Sequence, residues 1–158
     1  MMIFVPLSSA QLAALVASGE LRAEVAGFTA TTALRRDAEI GPSDDEEADF
    51  VAFGYAAAAA VALTSTVDPG RTVIAVESEP GAATIRDDDP QGHAVVTSVR
   101  WPAVTAVYLD EPAAAAAVAQ SRDATAGLAP DDAYDHPSMQ TLLDAHDLLW
   151  HLPSEVAH

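Results

Sequence analysis

Lysine is missing from all 158 residues, and so is cysteine. Seven arginines face 24 Asp and Glu, a formal charge of −17. Nucleic acids and anionic membranes are bound through clustered cations that displace counterions, so this imbalance argues against either as a direct partner. Without cysteine there is no disulfide, thiol nucleophile or zinc–thiolate site, and a reducing cytoplasm is the expected location. Aromatic residues are scarce at 6%. No apolar run has the length of a membrane span; the nearest, 50–63, is short and alanine-rich and reads as a core helix. The opening Met1–Leu7 has no basic residue ahead of it and is broken by Pro6 and Gln11, unlike a secretory signal.

Half of the residues are apolar. That makes the chain globular despite its charge, and its length suits one domain over 1–158 with a core of its own. High-GC codon usage accounts for abundant Ala and Arg with no Lys. Adaptation to salt would also favour an acidic surface.

Hydrophobic spacing orders the elements. Ile3, Phe4, Val5 and Leu7 read as a strand, Ser8 or Ser9 as a helix cap, and Leu12, Leu15 and Val16 as one helix face ending at Gly19. Val25–Thr31 reads as a second strand. Seven acids fall within 37–49, and Ser43 with Glu46 matches a capping box for a helix through Phe50, Phe53, Ala57 and Val61. That helix is apolar nearly all round, so it must be covered on two sides or offer an apolar face to a partner. Strands follow at 71–77, 94–101 and 104–109. A helix then runs from Pro112 to about Arg122, an exposed, flexible acidic loop spans about 123–137, and a last helix runs from Ser138 through Trp150. The expected fold is α+β: a two-layer mixed sheet with helices packed on one face, in the order β-α-β-α-β-β-β-α-α.

Three blocks carry a family likeness. They are Ile3-Phe4-Val5-Pro6-Leu7-Ser8 with Leu12-Ala13-Ala14-Leu15, Thr31-Thr32-Ala33-Leu34-Arg35 with Asp44-Asp45-Glu46-Glu47, and Asp147-Leu148-Leu149-Trp150 with Glu155. Together they resemble a family of short acidic actinobacterial proteins, a domain of unknown function. Thr32 stands where that family has Pro, and His151 where it has Tyr. The resemblance implies an actinobacterial cytoplasm and one compact domain, and it brings no activity.

Candidate sites are few. The histidines are His93, His136, His146, His151 and His158. On one helix, His146 and His151 would point about 140° apart, unsuited to a shared metal. The acidic clusters at 44–49 and 87–89 lack the spacing of a calcium loop and read as a helix start and a turn. Thr31, Thr32, Arg35 and Arg36 could bind a phosphate or carboxylate, or the arginines could neutralise the acids at 37–49. No glycine-rich phosphate loop and no Gly-x-Ser-x-Gly elbow occurs. The expectation is therefore a non-catalytic cytoplasmic binding or regulatory module without cofactor or metal. Its partner would be another protein or a second copy, met by an apolar patch around Phe53, Tyr55 and Trp150. The alternatives are an acidic mimic of nucleic acid that occupies a basic protein site, and a small enzyme or anion binder built on Thr31 and Arg35.

Overall fold

The computed structural model describes residues 1–79 and 81–157. Strand β1 (Met2–Leu7) leads into helix α1 (Ser9–Ser18), which opens with a capping box between Ser8 and Gln11 and stops at Gly19 in the left-handed region, φ 79°. A two-residue strand β2 (Glu20–Leu21), strand β3 (Val25–Phe28) and helices α2 (Thr32–Asp37) and α3 (Asp45–Ala60) follow. Strands β4 (Thr72–Glu77), β5 (Ala83–Ile85), β6 (His93–Val96), β7 (Val99–Arg100) and β8 (Val104–Leu109) come next. Helices α4 (Ala115–Thr125), α5 (Pro130–Asp135) and α6 (Pro137–Ala145), strand β9 (Leu149–His151) and helix α7 (Pro153–Val156) complete the fold.

The fold is α+β, with seven strands in the order β5-β6-β3-β1-β4-β8-β9 and a separate β2–β7 ribbon. Every pairing is antiparallel, so the sheet is not mixed. Helices cover both faces rather than one. The reason lies in β1, whose alternate side chains go to opposite faces. Phe4 joins α2 and α3 in one buried cluster, while Ile3, Val5 and Leu7 pack with Leu12 and Leu15 of α1 in another. A strand buried on both sides is a continuous apolar run, and Ile3-Phe4-Val5 is one.

Helix α3 lies on the sheet through Ala48, Ala52, Ala56 and Ala60, all fully buried and four residues apart. That spacing lines them along one stripe. Its larger side chains flank the stripe, with Phe53 against Phe4 at 5.6 Å and Tyr108 at 4.6 Å between ring centroids. The expected Ser43 cap is not used: the helix begins after Asp44 with no side-chain cap, and Asp45, Glu46 and Glu47 occupy its positive first turn.

Three further expectations are corrected. The last helix ends at Ala145, and Leu149, Trp150 and His151 form the edge strand β9 on β8. The stretch 123–137 holds the end of α4, all of α5 and the start of α6; Pro130 at the first helical turn, followed by Asp131 and Asp132, starts α5. The strand foreseen at 94–101 divides, with β6 in the main sheet and β7 in the ribbon.

One buried ion pair ties these parts together. Arg71 and Asp110 are 1% and 3% exposed, and the guanidinium grips the carboxylate by Nε–Oδ2 and Nη2–Oδ1 bonds, both 2.8 Å. The Arg71 backbone N–H donates to the same carboxylate, and Nη2 also donates to the His146 carbonyl at 2.9 Å. No buried acid was expected from the sequence, where Asp110 reads as a helix start. Removing one member strands the other's charge, so Asp110→Ala should cost about 3–5 kcal/mol in chemical unfolding. The double replacement Arg71→Met/Asp110→Leu should cost less than either single change; a double mutant as unstable as the sum of both would contradict this account.

Candidate functional site

The sheet extends beyond α3 on the β3–β6 side. There Ala26 and Phe28 of β3 and His93 of β6 face the same way as α3, by strand alternation. With the second half of α3 and the α4–α5 region they enclose a cavity of about 430 Å³. Tyr55, Ala58, Ala59 and Ala62 form the helical wall, and Arg122, Thr125, Leu128 and Tyr134 the far wall. Met139 of α6, held with Val118 and Leu142 in a third buried cluster, closes the depth.

The sheet-side wall depends on the loop between β5 and β6. Thr31 caps α2: its hydroxyl accepts from the Leu34 N–H at 3.0 Å and donates to the Asp89 carbonyl at 2.8 Å. The Thr32 N–H donates to the Asp87 carboxylate at 2.8 Å, and that bond holds the Asp87 pKa below the ordinary aspartate value. Gly92 meets Thr29 across a backbone hydrogen bond of 2.8 Å, with φ 78°; an added Cβ would lie 2.1 Å from the Thr29 carbonyl oxygen. Only glycine fits there. The loop so anchored presents Gln91 and His93 to the cavity.

His93 is fixed twice, by its ring against Phe28 at 4.8 Å and by Nδ1 against Asp89 Oδ2 at 3.0 Å. Burial opposes the charge on Asp89. The Gln91 N–H and His93 outweigh it, and the carboxyl is held below its ordinary value. Tyr55 and Tyr134 lie with ring centroids 4.6 Å apart. Burial, reinforced by Tyr134 and by Asp37, Asp135 and Asp131, pushes the Tyr55 phenol up to about 12, so it stays a neutral donor.

Several polar groups here lack protein partners among the described residues. The Gln91 side chain and the Tyr55 and Tyr134 hydroxyls make no hydrogen bond to the protein, and these atoms keep access to solvent through the cavity. Arg122 donates once, to the Thr64 hydroxyl at 3.0 Å, and pairs with no carboxylate. A mainly apolar cavity with a few unengaged polar groups is the usual form of a small-molecule site.

The profile of a family of unknown function, DUF6912, matches residues 1–158. The chain belongs to this family. Comparison with curated proteins and with solved structures found no match to either. Membership in DUF6912 therefore brings no activity to the cavity, whose chemistry rests on its own residues.

The residues singled out from the sequence are dispersed. Thr31 and Thr32 hold the loop, the Thr31 hydroxyl through the Asp89 carbonyl and the Thr32 N–H through the Asp87 carboxylate. Arg35 pairs with Asp45 at 2.6 Å and reaches the Gly41 carbonyl, the neutralising role, while Arg36 is exposed. Phe53 packs against the core, Trp150 is 56% exposed on the β9 edge, and Tyr55 alone lines the cavity. Gln91, His93, Arg122 and Tyr134 were missed, since residues 91 to 134 meet only through the fold. His146 and His151 share no helix, and among the described residues no cluster of three or more metal-ligating side chains occurs. His158 lies outside the described residues. No helix of the described residues is long and apolar enough to cross a membrane.

Asp89 provides a pH test. Its folded pKa lies below its unfolded one, so its contribution to stability is complete above the ordinary value of 3.8 and disappears as pH falls through the lower folded value. Asp89→Asn should lower the melting temperature at neutral pH, with the gap to wild type closing below 3.8. A gap that stays constant with pH would show that the carboxylate charge does not hold this loop.

Proposed function

We propose that this chain is a small-molecule-binding protein of the cytoplasm whose ligand occupies the cavity between α3, the β3–β6 edge and α4–α5. The observation that carries the reading is a mainly apolar cavity bordered by polar groups that spend few or no hydrogen bonds on the protein among the described residues, namely the Gln91 side chain, the Tyr55 and Tyr134 hydroxyls and the Arg122 guanidinium. The volume of about 430 Å³ suits a molecule of one or two rings. Binding without chemistry is the reading: His93 is oriented by Asp89 as a base would be, but among the described residues no nucleophile is hydrogen-bonded to it.

A second reading keeps the expected protein partner. Phe50 is 74% exposed on α3, next to Asp45, Glu46, Glu47 and Asp49, which suits a basic protein with an apolar recess. Proteins captured from cytosol by the wild type at low salt should be lost at high salt and on Phe50→Ser; an unchanged capture pattern removes this reading.

The cavity is tested with the neutral dye N-phenyl-1-naphthylamine. Its fluorescence should rise and saturate at one dye per folded chain, and Ala62→Trp, from an exposed position on the cavity wall, should abolish the rise without changing the far-UV spectrum. No saturable signal with folded wild-type protein would overturn the proposal.

A further inference from the structure

Electrostatics of the cavity narrow the ligand class. In a chain with 24 acids, Arg122 lines the cavity half-buried, with one hydrogen bond and no carboxylate within ion-pair distance among the described residues. Arg22, Arg35 and Arg71 are paired with Glu20, Asp45 and Asp110; Arg36, Arg86 and Arg100 have no ion pair among the described residues either, and what sets Arg122 apart is its place on the cavity wall. A guanidinium has five N–H donors in a planar fork matched to a carboxylate, and Arg122 spends only one of them on Thr64. The Thr64 hydroxyl in turn donates to the Val61 carbonyl at 2.6 Å, so that contact anchors the arginine at the end of α3.

We propose that the cavity takes a monoanionic carboxylic acid with a ring-bearing apolar body, its carboxylate on Arg122 and its ring near Tyr55 and Tyr134. This inference rests on the small-molecule reading and adds the charge and orientation of the ligand. The field sets both. Asp37, Asp131 and Asp135 act on the tyrosine end of the cavity and repel an anion from it, leaving Arg122 as the end that accepts charge. One guanidinium balances one negative charge, and against a net −17 a dianion such as a phosphate monoester would keep its second charge uncompensated. The Gln91 amide can give or accept one further hydrogen bond without adding charge.

The test compares acids with their own primary amides, which preserve shape and remove charge. Naphthoate, phenylbutyrate and cyclohexanecarboxylate are titrated against wild-type protein by calorimetry beside the corresponding amides. Each acid should bind roughly tenfold more tightly than its amide, the worth of one charge-assisted contact. Arg122→Gln should abolish that preference, bringing each acid to the affinity of its amide, and Arg122→Lys should restore part of it. Amides binding as well as acids, or a preference that survives Arg122→Gln, overturns the inference while the small-molecule reading stands. If neither acids, amides nor the neutral dye bind folded wild-type protein, the small-molecule reading falls and this inference with it.

Discussion

The Arg71–Asp110 pair is the constraint on which the arrangement of the helices depends. It extends the ladder between β4 and β8 by one register, since Thr72 pairs with Leu109 and the two charged residues follow directly. Arg71 Nη2 also donates to the His146 carbonyl, where the chain leaves α6 for β9. In that way a pair at the sheet's end fixes the exit of the helix that closes the cavity. Buried pairs seldom add net stability over apolar residues of equal volume. What this one supplies is position: a bidentate fork tolerates little displacement, and three segments far apart in sequence share it.

Charge is managed by placement rather than by pairing. Seven arginines cannot pair with 24 acids one for one, so the acids fall at the first turns of α3 and α5, in the Asp87–Asp89 turn and on exposed faces. Helix starts stabilise negative charge, and exposed acids are screened by salt. Arg22, Arg35 and Arg71 pair with Glu20, Asp45 and Asp110, whereas Arg122, like Arg36, Arg86 and Arg100, has no carboxylate within ion-pair distance among the described residues, and of these four Arg122 lines the cavity beside α3.

Much of the fold was legible because its signals are local. Ser8 and Gly19 bracket α1, and Thr72–Glu77 is apolar enough to be a central strand. The helical period of Met139 and Leu142 locates α6, but it runs on by chance into Leu149 and Trp150, whose strand conformation comes from pairing with β8. Strands β2 and β5, two and three residues long, carry too few side chains to show alternation. The coverage of both sheet faces was readable in the unbroken run Ile3-Phe4-Val5, though α3 alone drew attention. The cavity was illegible for a different cause. Gln91, Arg122 and Tyr134 each look like ordinary surface residues, and only their convergence from three segments distinguishes them.

The alanines of α3, the turn after it and the α4–α5 region have a consequence for selectivity. Ala58, Ala59, Ala62, Ala126 and Ala133 all border the cavity, and a methyl group has no rotamer to change. The outline of the α3 part of that wall is set by the backbone, which packing on the sheet holds in place, so that part does not reshape itself around a larger guest. Sequence drift at any of these positions would subtract volume in whole side-chain steps. Relatives that keep the same backbone could thus sort related guests by size through one substitution each, with the polar contacts untouched.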